Sequence, residues 1–332
     1  MLNDKSILVT GGTGSFGMEF VKTVLREYKP ARLIVFSRDE LKQFEMAQVF
    51  SPKNYPCMRY FLGDVRDVDR LRRAFRGVDI VVHAAALKQV PAAEYNPHEA
   101  VKTNINGAAN IIEACLDSGV SKCVALSTDK AVNPVNLYGA TKLCSDKLFI
   151  AGNSYATTTQ TIFSIVRYGN VMGSRGSVIP LFLKLRETGQ LPITDPEMTR
   201  FWLEIQDGVK FVLSRLAMME GGEVFIPKIP SMRIVDLAKA ICPGCELQVV
   251  GIRPGEKLHE MMIPDAESRN TLEYDNYYVI YPMFRDLDTI ISTKHGKRVP
   301  KDFEYKSNTN TWWMNEEQLK ACVKRIFPTA DI

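Results

Sequence analysis

Ser6-Ile7-Leu8-Val9-Thr10-Gly11-Gly12-Thr13-Gly14-Ser15-Phe16-Gly17 opens the chain with a short apolar run and a glycine-rich loop, and helical-looking Met18 to Leu25 follows at once. In that order of strand, loop and helix, glycines let backbone N–H groups at a helix start approach a pyrophosphate with no side chain in the way. The spacings Gly12-x-Gly14-x-x-Gly17 and Gly11-x-x-Gly14-x-x-Gly17 are both satisfied, so the segment reads as a dinucleotide loop rather than a turn with incidental glycines. Gly11, Gly14, Ser15, Phe16 and Gly17 are therefore expected against the cofactor.

Further apolar runs extend the pattern. Arg32 to Phe36 reads as a second strand ending in Ser37-Arg38-Asp39-Glu40, about twenty residues past the last glycine, where the ribose is read. Ser37 and Arg38 come before the carboxylates and Lys42 lies one turn later, which favours NADP over NAD; the alternative is that Asp39 reads a free ribose hydroxyl. Phe61 to Val65 reads as a third strand that brings Asp64 and Val65 to the adenine. Ile80 to Ala86 reads as a fourth, with Ala84 and Ala86 small enough for close approach to the cofactor, and Cys123 to Ser127 as a fifth. Helical stretches Asp67 to Phe75 and Asn104 to Ser118 alternate with these strands, which predicts an α/β fold with a doubly wound parallel Rossmann sheet.

Gly173-Ser174-Arg175-Gly176-Ser177-Val178 reads as the exit from the cofactor domain, followed by a helix near Ile179 to Thr188. Val224 to Pro227 reads as a strand that rejoins the sheet. The expected division is 1–169 and 201–228 for the NADP-binding domain, and 170–200 with 229–332 for a smaller, interleaved substrate-binding lobe.

Chemistry concentrates in Ser127-Thr128-Asp129-Lys130, just past the fifth strand, and in Tyr138-x-x-x-Lys142. Four residues apart on a helix, Tyr138 and Lys142 share a face, where the ammonium can favour a phenolate that accepts an alcohol proton. Asp129 and Lys130 add the acid and the amine that carbon-proton abstraction and loss of water require. Thr128, Asp129, Lys130, Tyr138 and Lys142 are the candidate catalytic residues.

Composition agrees with a catalytic domain. The 332 residues are 45% hydrophobic and 24% charged, enough for a substantial core, and the net charge of +4 is dispersed rather than blocked, against a nucleic-acid surface. No run approaches a membrane span, and the first strand starts too early for a signal peptide, so a cytoplasmic protein is expected. The seven cysteines read as thiols, with Cys242-Pro243-Gly244-Cys245 a turn ending a helix over Ile234 to Ile241. His83, His98, His259 and His295 show no ligand spacing, and no metal is expected. Trp312 to Glu317 reads as an apolar contact leading into a capped final helix with no catalytic part.

Thr10 to Gly17, His83 to Ala86 and Tyr138-x-x-x-Lys142 together resemble the extended short-chain dehydrogenase/reductases. Within that class Ser37 to Lys42, Ala84 to Lys88, Ser127 to Pro134, Arg167 to Val171, Met198 to Trp202 and Gly251 to Lys257 are similar to the inverting UDP-N-acetylglucosamine 4,6-dehydratases of pseudaminic acid biosynthesis. The resemblance runs to about Tyr305. It implies bound NADP, a UDP-GlcNAc substrate and a homo-oligomer. It also implies substrate contacts at Lys88, Asn170, Arg200, Arg253 and Glu256, and adds Val171 to the cofactor set. On this pattern Lys130 acts as a neutral amine and Asp129 as a protonated acid. A sugar-nucleotide 4-epimerase would share fold and cofactor but has no use for Asp129 and Lys130. A non-catalytic NADP-binding regulator has no reason to combine Tyr138, Lys142 and Lys130.

Overall fold

The computed structural model describes residues 1–155, 160–173 and 177–328. Its centre is a ten-stranded sheet. From one edge the strands are Lys297–Arg298, Thr271–Glu273, Tyr277–Ile280, Val224–Pro227, Ile162–Tyr168, Lys122–Thr128, Ile80–His83, Ser6–Thr10, Arg32–Ser37 and Met58–Leu62. From Val224–Pro227 onward every pairing is parallel, while the first three strands add antiparallel. All five residues of Ser6–Thr10 are buried, the continuous apolar signature of a strand covered on both faces.

Chain order reverses between Ser6–Thr10 and its neighbour Ile80–His83, and right-handed crossovers then place the flanking helices on opposite faces. Ser15–Glu27 packs with Ile205–Met218, whereas Val68–Ala74, Gly107–Ser118 and Leu137–Gly152 pack together. The reversal opens a crevice at the carboxyl ends of the strands.

A second core fills the smaller lobe. Met172, Phe182, Leu191, Trp202, Leu237 and Leu319 meet there, between the helices Val178–Leu185, Ile234–Ile241 and Glu316–Ile326. The final helix opens on a capping box between Asn315 and Gln318. Among the described residues no helix is long and apolar enough to cross a membrane, and no group of His, Cys, Asp or Glu side chains could hold a metal ion.

Several sequence expectations require correction. The third strand is Met58–Leu62, not Phe61 to Val65: its pairing with Arg32–Ser37 ends at Ser37–Leu62, and the Gly63 N–H makes a last bond to the Ser37 carbonyl at 3.1 Å. The fourth stops at His83, whose Nδ1 lies 2.8 Å from Thr10 Oγ1, and residues 84–86 leave the ladder. A π-helical turn, Lys102–Asn106, precedes the helix expected from Asn104. The span 229–332 is not confined to the lobe, because Thr271–Glu273, Tyr277–Ile280 and Lys297–Arg298 extend the central sheet. Cys242 and Cys245 are not free thiols: the turn brings their Cα atoms to 5.4 Å, within bridging range, and they form a disulfide. Of the expected exit segment 173–178, residues 174–176 lie outside the described residues.

Candidate active site

The crevice is a cavity of about 1070 Å³ that runs from the glycine loop to the smaller lobe. Gly11 adopts φ +65°, and a Cβ there would meet the Ala85 backbone at 2.9 Å. Gly17 does not line the cavity; it lets helix and loop touch, since its Cβ would fall 2.2 Å from the Gly12 carbonyl oxygen. Helix Ser15–Glu27 starts with no side-chain cap on its first N–H groups. Those open donors, beside a loop that no side chain obstructs, fit a dinucleotide pyrophosphate. Gly14, Ser15, Phe16, Asp64, Val65, Ala84, Ala86 and Val171 line the same space as Gly11.

At the ribose end Ser37 Oγ lies 2.9 Å from Thr13 Oγ1. Asp39 accepts from the Lys42 backbone N–H at 3.0 Å and pairs with Lys42 Nζ at 2.5 Å, so much of its charge is spent capping its own helix. Arg38 lines the cavity, with its guanidinium 3.6 Å from Asp64.

Strand Lys122–Thr128 carries Thr128 to the crevice, and a single 3-10 turn, Asp129–Ala131, follows. Asn136 caps helix Leu137–Gly152 by accepting from the Gly139 N–H at 2.7 Å, and that helix presents Tyr138 and Lys142 to the cavity. Helix and turn touch at Gly139, where a Cβ would lie 2.1 Å from the Lys130 carbonyl oxygen. Thr128, Lys130, Tyr138 and Lys142 line the cavity; Asp129, fully buried, stands behind them. Thr128 Oγ1 donates to Asp129 Oδ1 at 3.0 Å, and Thr128 and Tyr138 both line the cavity. Lys130 Nζ donates to the same Asp129 oxygen at 3.0 Å and lies 3.4 Å from Glu260 Oε1.

The electrostatics differ from the expected neutral lysine and phenolate. Burial disfavours the Lys130 ammonium, but Asp129 and Glu260 outweigh it and raise its pKa above the ordinary lysine value. Burial raises Asp129, with Glu260 adding to the effect. Tyr138 is pushed up to about 12 by burial, against the pull of Lys130 and Thr128, so without ligands it is a phenol. Lys142 is lowered by burial, partly offset by Asp146. His83 is pushed down to about 3, first by burial and then by Lys142.

Lys88, Asn170, Arg200, Arg253 and Glu256 all line the cavity. Asn170 Oδ1 is buried without a hydrogen-bond partner. Arg200 is buried and donates to the Thr199 and Leu258 carbonyls. Glu260 was not anticipated from the sequence, although the quoted Gly251 to Lys257 run ends three residues before it. It is 2% exposed and sits among Lys130, Arg200 and Lys257.

A glycine loop at the switch point of a parallel sheet, a Tyr-x-x-x-Lys helix face and an interleaved lobe define an extended short-chain dehydrogenase/reductase. Residues 7–282 match the family model described as polysaccharide biosynthesis protein, and the chain belongs to that family. It is 58% identical over 327 residues to a UDP-N-acetylglucosamine 4,6-dehydratase (inverting) of Campylobacter jejuni, covering 96% of this chain and 97% of that one. It is 40% identical over 331 residues to a UDP-glucose 4-epimerase of Rickettsia bellii, covering 96% and 95%. The solved dTDP-glucose 4,6-dehydratase of Streptomyces venezuelae, with NAD bound, superposes with a TM-score of 0.66 at 26% identity, over 76% of this chain and 86% of that one.

Proposed function

We propose that this chain is an NADP-dependent UDP-N-acetylglucosamine 4,6-dehydratase, a hydro-lyase that inverts C5 and yields UDP-2-acetamido-2,6-dideoxy-β-L-arabino-hex-4-ulose. The observation that carries this reading is the Asp129–Lys130 pair, joined to Thr128 through Asp129 Oδ1, in the same cavity as Tyr138 and Lys142. An enzyme that only oxidises and reduces C4 needs Tyr138 and Lys142 but no acid and amine beside them.

NADP, which Gly11, Gly14, Ser15 and Arg38 would hold, would supply the hydride acceptor for C4 and the hydride donor for C6. Tyr138, a phenol in the ligand-free site, releases its proton to solvent as the complex forms, with the Lys142 ammonium favouring the phenolate. Beside Thr128 it then takes the C4 hydroxyl proton, and the resulting ketone acidifies C5. Lys130 takes the C5 proton, and once C6 is reduced a solvent-derived proton delivered to the opposite face of C5 completes the product and inverts that centre. Asp129, set behind Thr128, supplies the proton on which the C6 hydroxyl leaves as water, with the Thr128 hydroxyl as its route to the sugar.

The ammonium found in the ligand-free site is compatible with these roles. Moving one proton across the 3.0 Å contact from Lys130 to Asp129 gives a neutral amine and a carboxylic acid with no change in total charge. The chemistry then needs a shift within one shared-proton pair rather than two independent displacements of several units.

The NADP reading is supported by Arg38 and Ser37, which line the cavity where the second strand ends, beside Asp39 and Lys42, which pair with each other. Asn170 and Lys88 are assigned to the sugar end, Arg200 and Arg253 to the pyrophosphate, and Glu256 to a hydroxyl. The family resemblance supports a cytoplasmic homo-oligomer that feeds pseudaminic acid biosynthesis. Mass spectrometry after incubation with UDP-GlcNAc tests the reaction class. A product lighter by one water is expected; conversion at unchanged mass would instead establish the 4-epimerase.

A further inference from the structure

We infer that Glu260 is a positioning residue for Lys130, fixing the amine at the cavity wall from the side of the smaller lobe. The inference deepens the dehydratase reading, and its kinetic part rests on that reading. Asp129 neighbours Lys130 in sequence and holds Nζ at 3.0 Å; Glu260 arrives from a distant segment and holds it at 3.4 Å. An ammonium has three donors. One hydrogen bond to Asp129 and one ion pair to Glu260 hold the nitrogen, and the Lys130 side chain, 24% exposed, still opens to the cavity.

Glu260 is itself held firmly. Its N–H donates to Ser307 Oγ at 2.9 Å, and its carbonyl accepts from the Ser307 N–H at 2.8 Å. Ser307 Oγ in turn lies 2.7 Å from Thr199 Oγ1. The carboxylate is less well satisfied. Oε2 is buried without a hydrogen bond, 3.8 Å from Lys257 Nζ, and Oε1 is 3.9 Å from Arg200 Nε. Burying a carboxylate with so few hydrogen bonds is expensive, and an apolar side chain of similar volume would often serve stability as well. What an apolar side chain could not do is anchor the amine. The groups that face Lys130 are Asp129, Glu260, Tyr138 and the cations Arg200, Lys88 and Lys257. Glu260 is the second anion among them and offsets their repulsion.

The test is Glu260→Gln in the full chain, which keeps the shape and removes the charge. Lys130 is followed by NMR of lysine labelled at the side-chain amine, its signal assigned with Lys130→Met. Lys130 is expected to titrate lower by about one pH unit or more. kcat should fall about ten-fold or more with KM nearly unchanged, and the alkaline limb of its pH profile should move the same way. If Glu260→Gln does not fold, Glu260→Asp is expected to give the same changes in smaller measure. An unmoved Lys130 titration in a folded variant overturns the inference, as does a moved titration with kcat intact. If the parent protein does not dehydrate UDP-GlcNAc, the dehydratase reading fails, while the NMR titration still decides whether Glu260 holds Lys130.

Discussion

Lys130 Nζ and Asp129 Oδ1 lie 3.0 Å apart, and the carboxylate is fully buried while the amine reaches the cavity. Neighbouring side chains rarely meet this closely in a buried site. Here the 3-10 turn folds them together at the end of strand Lys122–Thr128. The contact places a proton donor and acceptor within one transfer of the states that dehydration needs.

Lys130→Ala and Asp129→Asn should each lower turnover about 100- to 10,000-fold, the range for loss of a general acid or base. Neither residue is assigned to binding UDP or cofactor, so calorimetric affinities for both ligands should stay within a few-fold of the parent. Loss of binding together with turnover would show a structural pair instead.

Gly139→Ala probes the seam between helix and turn. Its new Cβ would meet the Lys130 carbonyl at 2.1 Å and push Tyr138 away from Thr128, so turnover should fall while cofactor binding, measured by fluorescence, persists. Gly17→Ala, aimed at the Gly12 carbonyl at 2.2 Å, should abolish cofactor binding. Gly119→Ala is the control: nothing lies within 4 Å, and only the left-handed backbone at φ +67° costs it, about 1 kcal/mol in thermal unfolding.

Arg38→Ala should weaken NADP about ten-fold or more with little effect on NAD, because only the phosphate gains from a bidentate guanidinium. Equal weakening of both would return the ribose to Asp39.

His83 makes stability depend on pH in a defined direction. Its folded pKa, about 3, lies below the ordinary value of 6.5, so the fold favours the neutral ring. That contribution is fully present above pH 6.5 and disappears as pH falls toward 3. In urea unfolding between neutral pH and pH 4, His83→Gln should lose less stability than the parent. An equal loss would show that other groups carry the acid sensitivity.

The sequence exposed what is local. The glycine loop and Tyr138-x-x-x-Lys142 could be read because strand, turn and helix period are set by adjacent residues. Apolar Phe61 and Val65 suggest a later third strand, whereas the pairing with Arg32–Ser37 runs from Met58 and ends at Leu62. The protonation of Lys130 could not be read at all. It depends on Glu260, which reaches the site only when the chain around strand Met261–Ile263 packs beside the Asp129–Ala131 turn. Strands Thr271–Glu273 and Tyr277–Ile280 are illegible for a similar reason: Tyr277–Ile280 joins the central sheet by an antiparallel pairing with Val224–Pro227, and Thr271–Glu273 adds to it in turn, neither of which any spacing announces.

Incubation with UDP-GlcNAc in D₂O, followed by proton and carbon NMR of the sugar, tests the central claim most directly. A 4-keto-6-deoxy product is expected, with deuterium at an inverted C5 and the hydrogen transferred to C6 originating from C4. Protium at C5, or a C4 epimer with no solvent deuterium, would contradict the role of Lys130.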